Sequence, residues 1–180
     1  MIYLIILLAI ISRFIPHIPN FAPITAIAIF SAAHLNWKKA AGITFAARFV
    51  SDVFLGFFSW PLMVAVYLSH LAGVGLGLWI KKSKMDSRLR GNDKIKQWTK
   101  IIGSSLIASA IFFLVTNFAL LYSNYPHNFS GIVQAYINGL PFLRGTLIGD
   151  MFYSVALFGM YELAQYYANK RYRASKFQTS

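Results

Sequence analysis

Two stretches of this chain, Pro61 to Ile80 and Ile101 to Leu121, each run for about 20 apolar residues, the length a helix needs to cross a hydrocarbon core roughly 30 Å thick. Four shorter or softer apolar segments accompany them: Ile2 to Ile11, Pro23 to Leu35, Ala40 to Phe58 and Pro141 to Tyr166. A chain of 180 residues that is 57% hydrophobic and 12% charged lies outside the balance of a soluble domain. The expected fold is all-α, a polytopic membrane bundle of about six helices forming one domain over residues 1–180.

The charge pattern gives this bundle an orientation. The net charge is +12, which in a soluble protein would suggest nucleic acid. Here Lys38 and Lys39, the basic loop 81–100 and the basic tail 168–180 hold most of the Lys and Arg, and all three lie on alternate connections. By the positive-inside rule both termini are cytoplasmic, the lipid bilayer is the main partner and no nucleic acid is expected. Trp37, Trp60, Trp79 and Trp98 fall near segment ends, where an amphipathic ring prefers the headgroup layer. The external connections are then "RFIPHIPNFA", "FSWP" and a long aromatic loop. In that loop Ile132, Val133, Tyr136, Ile137 and Leu140 recur at helical spacing, predicting a short helix across the outer mouth, separate from the span that follows.

Carboxylates inside the apolar segments mark the candidate site. A carboxylate near the bilayer centre costs at least ~2.5 kcal/mol on insertion scales, so Asp52 in "FVSDVFLGFF" and Asp150 in "LIGDMFYSVALFG" call for a cavity or a partner. Counting about 1.5 Å per residue puts Asp52 about 9 Å and Asp150 about 13 Å below the outer surface. Asn117, Tyr67 and His70 fall at similar depth on two other segments, which suits a small-molecule pocket open to the outside. Arg48 and Asp52 also stand at i and i+4, so a structural ion pair is the other reading of Asp52. Asp150 has no such neighbour.

His17 and His127 lie beside prolines in external loops and lack the spacing of a metal site; the chain has no cysteine, and no metal or cofactor is expected. Small residues four apart, including Ala28 and Ala32, Gly73 and Gly77, and Gly145 and Gly149, permit close helix approach. No phosphate-binding loop, zinc motif or nucleophile elbow is present, so enzymatic activity is not expected.

The segments "RFIPHIPNFAPITAIAIFSAA", "SDVFLGF", "TNFALLYSNYP", "GLPFLRGTLIGDMFYSVALFG" and "YEL" resemble an uncharacterised family of bacterial six-helix membrane proteins. That family is similar in size and layout to the substrate-binding S components of energy-coupling-factor transporters. The resemblance implies capture of a vitamin-sized molecule in an external pocket at the bacterial cytoplasmic membrane. It also implies a membrane coupling subunit and ATPase subunits as partners. Matching positions are Arg13, Pro16, His17, Pro19 and Asn20 in the first loop, then Asp52, Asn117, Tyr125, Pro126 and Asp150. The first helix is short for docking such a partner, and no thiolate is available for a corrinoid.

The substrate-binding set expected on these grounds is Asp150, Asp52, Asn117, His17, Asn20, Tyr136 and Tyr67. The rival reading is a scaffold subunit without ligand, in which the aspartates only hold helices together.

Overall fold

The computed structural model describes residues 1–15, 19–57, 59–82 and 92–178. Six helices follow in order: α1 (Ile2–Ser12), α2 (Ile24–His34), α3 (Trp37–Leu55), α4 (Trp60–Lys82), α5 (Asn92–Thr116) and α6 (Phe129–Gln178), with a short 3-10 turn at Ala119–Leu121. No strand occurs among the described residues. The all-α expectation therefore holds, and α4, α5 and the Phe129–Arg171 stretch of α6 are each long and apolar enough to cross a membrane.

The bundle is organised around its shortest interior element. Every residue of α2 from Ile24 to Ala33 is buried, because "ITAIAIFSAA" is apolar or small on all sides and has no face to offer water. At about 1.5 Å per residue its 11 residues span about 16 Å, half the thickness of a hydrocarbon core. It is the axis on which the other five helices pack, with α4 its most extensive partner.

Glycines make that contact close. A Cβ built on Gly77 would press on the carbonyl of Ile29 and approach the Ala32 side chain at 2.7 Å, and one on Gly73 would meet the Ala28 side chain at 3.1 Å. The small-residue pairs of α4 and α2 thus face each other, letting the backbones approach. On α6, Gly149 and Gly145 admit the backbone of the 19–22 segment in the same way.

Polarity is inverted relative to a soluble protein. Leu4, Leu8, Ile107, Leu114, Phe152 and Leu163 are exposed, whereas Thr44, Ser51, Ser104, Ser105, Ser109 and Ser154 are buried. Ser51 and Thr44 donate to carbonyls of their own helices, so these two buried hydroxyls hold hydrogen bonds where no water is available, whereas Ser104 Oγ has no hydrogen-bond partner among the described residues.

Two expectations are corrected. Phe129 to Gln178 form one 50-residue helix, so the mouth-crossing helix at 132–140 is the first part of α6 rather than a separate element. Pro141 removes one backbone donor and crowds the carbonyl one turn back, but it does not end the helix, which continues with apolar residues on both sides. The basic loop expected over 81–100 is also shorter: α5 begins at Asn92, with Asp93 in its first turn, where a carboxylate complements the helix dipole, and with an Asp93–Lys96 ion pair at 3.7 Å.

Candidate functional site

At the end of the bundle where α3 and α5 terminate and α4 and α6 begin, the helices enclose a cavity of about 490 Å³. This volume falls within the roughly 300–1,000 Å³ of small-molecule sites. Apolar walls come from Ile24, Leu62, Val66, Phe112 and Phe142, and polar groups converge from five helices and two connections.

One wall is cationic. Arg48, on α3, lies one turn before Asp52, and its Nε donates to Asp52 Oδ2 at 2.8 Å. Arg13, in the connection after α1, reaches the same carboxylate, with Nη2 at 3.7 Å from Oδ1, while its Nε donates to Ser51 Oγ at 2.7 Å. The Tyr67 hydroxyl completes the cluster, donating to Asp52 Oδ2 at 3.1 Å. Asp52 is 1% exposed and not part of the cavity wall, whereas both arginines line the cavity.

The opposite group is acidic. Asp150, on α6, is 2% exposed and lines the cavity, accepting a hydrogen bond from Ser109 Oγ on α5 at 2.6 Å, with the Thr25 side chain of α2 nearby. Between the two ends sits His70 of α4, 5% exposed, its Nδ1 3.4 Å from Thr25 Oγ1 and its ring stacked on Phe112 with centroids 5.3 Å apart. His70 Nε2 has no hydrogen-bond partner among the described residues, an orphaned donor or acceptor in a cavity wall.

The rim comes from the long connection and the start of α6. Asn117 lines the cavity, its amide donating to Phe113 O at 2.9 Å, and it is wedged against Gly139, where a side chain would collide with it. Tyr122 donates to Thr116 O at 2.7 Å, and burial beside Tyr125 raises its phenol above the ordinary tyrosine value. Asn138 Nδ2 donates to Tyr125 OH at 3.0 Å, tying α6 to the connection. Asn20 lines the cavity from a left-handed backbone conformation, φ 61°, which asparagine adopts more readily than most residues.

The structure thus brings Asp150, Asn117 and Asn20 to one cavity and sets Asp52, Tyr67 and Tyr136 apart from its wall. Asp52 and Tyr67 stand behind the arginines, and Tyr136 donates to Leu114 O at 2.8 Å outside the lining. His17 lies outside the described residues, as do Pro16 and residues 83–91 between α4 and α5. The binding set did not include Arg13, Arg48, Thr25 or His70, and the signal for Arg48 was already present in its i, i+4 spacing from Asp52. Among the described residues no group of three or more His, Asp or Glu side chains is arranged to hold a metal ion.

Residues 1–174 match a family of unknown function designated DUF6580. The chain belongs to that family. The match takes in every described cavity residue, so the cavity of this DUF6580 member lies within the family's own span. No curated protein and no solved structure matches the chain.

Proposed function

We propose that this protein is a multi-pass component of the bacterial cytoplasmic membrane that captures a small solute from the outer side for uptake. The observation that carries this reading is the cavity itself: in a chain so apolar, buried Arg48, His70 and Asp150 and half-buried Arg13 converge around about 490 Å³ of space. Intramembrane ionisable groups are costly and are retained where they pair or face a pathway or ligand. Asp52 is accounted for by pairing; Asp150, bonded to the Ser109 hydroxyl at a cavity wall and with no ion pair among the described residues, is not.

Orientation follows from charge. Lys38 and Lys39 begin α3, Lys81 and Lys82 end α4, and Lys94 and Lys96 begin α5, all remote from the cavity end of those helices. The positive-inside rule puts the basic end in the cytoplasm and the cavity outward. A chain of this size with no nucleotide-binding motif would need energised partners to complete uptake, and membrane coupling and ATPase subunits would fill that role.

The test is mass spectrometry of small molecules retained through gentle purification. Wild type is expected to carry a solute in near-stoichiometric amount, and Asp150→Ala, folded by its thermal unfolding curve, to lose it. A folded wild-type protein that retains nothing, and binds nothing offered to it, supports the scaffold alternative instead.

A further inference from the structure

The charges at the cavity balance, and the way they are divided names a class of ligand. With histidine neutral, the charged groups at or directly behind the described wall are Arg13 and Arg48 against Asp52 and Asp150. Asp93 pairs with Lys96 and Glu162 with Lys94, both remote from the cavity. Arg144 is exposed and outside the lining, and Asp86 lies outside the described residues, between α4 and α5 in sequence. A ligand with a net charge would unbalance this desolvated set, so the site favours one that is neutral as a whole.

The balance is divided across the cavity rather than closed at each group. Arg48 and Asp52 form a close pair at 2.8 Å, one turn apart on α3. Arg13 meets the same carboxylate only at 3.7 Å, and its hydrogen bond among the described residues is from Nε to Ser51 Oγ, so its terminal N–H groups keep donors to offer. Asp150 accepts from Ser109 and forms no ion pair among the described residues, whereas an ionised carboxylate has about four acceptor positions. Arg13 lines the cavity from the connection after α1 and Asp150 from α6. A cation and an anion therefore share one cavity without pairing with each other.

Resting on the uptake reading above, we propose that the cavity selects a small zwitterion, its acid group on Arg13 and its N–H-bearing basic group on Asp150. Such a molecule gives each of the two separated charges a partner and adds no net charge to the site. A guanidinium suits the acid end because its planar donors match two carboxylate or phosphate oxygens. Apolar walls at Phe112, Phe142 and Val66 take the body of the ligand.

Full-length protein in phosphatidylglycerol nanodiscs, whose lipid carries no amine, is offered phenylalanine and para-aminomethylbenzoate, zwitterions with neighbouring and with separated charges. Each is offered beside its carboxamide, a cation, and its N-acetyl derivative, an anion. Binding is read from the dependence of Tm on probe concentration. Mass spectrometry identifies the ionisable groups of any solute retained through purification. The expected result is that a zwitterion binds roughly tenfold or more tighter than both of its charged derivatives, because each derivative leaves one buried charge unpaired. The retained solute is expected to carry both an acid and a basic group, and a retained zwitterion supports the assignment even where neither probe matches the spacing of the site. The variants should reverse the ranking in opposite directions: Arg13→Gln should bind the carboxamide better than the parent zwitterion, and Asp150→Asn the N-acetyl derivative. Where a variant does not fold, the wild-type ranking and the retained solute decide.

A charged derivative that binds as well as its parent zwitterion, a retained solute lacking either group, or folded variants that keep the wild-type ranking would overturn the zwitterion assignment while leaving ligand capture intact. No retained solute and no binding by any probe would overturn capture itself, and this proposal with it. Phosphatidylethanolamine joins the same two charges in a lipid headgroup, so adding it to the nanodiscs identifies the source. Displacement of the bound zwitterion assigns the site to that headgroup, and undisturbed binding assigns it to a dissolved solute.

Discussion

Replacing Asp52 with asparagine keeps the size of the side chain and an acceptor for the Tyr67 hydroxyl, but strips the charge that faces Arg48 at 2.8 Å and Arg13 at 3.7 Å. The Arg48 and Arg13 guanidiniums then lose the carboxylate they share. Breaking a buried pair by removing one partner costs about 3–5 kcal/mol, against about 0–1 kcal/mol for a solvated pair. The internal comparison is Asp93, whose pair with Lys96 is 64% and 74% exposed at its two side chains. At about 2–4 °C per kcal/mol for a domain of this size, Asp52→Asn should lower Tm by roughly 6–20 °C and Asp93→Asn by only a few degrees at most. Unfolding can be followed in mild detergent by the fluorescence of the four tryptophans. Adding Arg13→Gln to Asp52→Asn should restore part of the loss, because one of the two cations that shared the lost carboxylate is gone. An Asp52→Asn protein that unfolds within about 2 °C of Asp93→Asn, on the same scale, would refute the buried-cluster account.

Other expectations follow from single contacts. Gly77→Leu should destabilise by about 1–3 kcal/mol or more in thermal unfolding, since the added side chain meets the Ile29 carbonyl and Ala32 across the α2–α4 contact. Tyr122→Phe should cost about 1 kcal/mol by losing its bond to Thr116 O. The raised phenol value of Tyr122 has a definite sign: its contribution is complete below the ordinary tyrosine range and lost as pH rises through the higher folded value, which ultraviolet titration of wild type against Tyr122→Phe measures. Lys94→Ala should change stability by less than about 1 kcal/mol, because the Lys94–Glu162 pair is half exposed on its lysine side.

What could be read from the sequence was what depends on neighbours along the chain. The long spans α4 and α5 follow from unbroken apolar runs, and the Arg48–Asp52 pair and the glycine faces from spacings of four residues. The cavity depends on distant pairings. Arg13 finds Ser51 across 38 positions and Ser109 finds Asp150 across 41, and nothing in either neighbourhood announces the partner. For the same reason Asp52 was given a place in the cavity wall that its two arginines occupy. The sequence reading starts the last span at Pro141, yet α6 continues through it with apolar residues on both sides. That α2 would be buried on every side was present in its composition, but a run of 11 apolar residues reads equally as a short crossing.

The claim on which the rest depends is that the cavity opens to the outer side of the membrane, and the absence of native cysteine allows a single introduced thiol to report on it. Thr116 is 6% exposed and lines the cavity, whereas Leu114, about 3 Å away along α5, is 55% exposed on the outer surface of the bundle. In intact cells a membrane-impermeant, charged methanethiosulfonate should modify Thr116→Cys faster than Leu114→Cys, because the less exposed position faces water and the more exposed one faces lipid. Faster modification of Leu114→Cys, or modification of Thr116→Cys only after the cytoplasmic side is opened, would contradict the account.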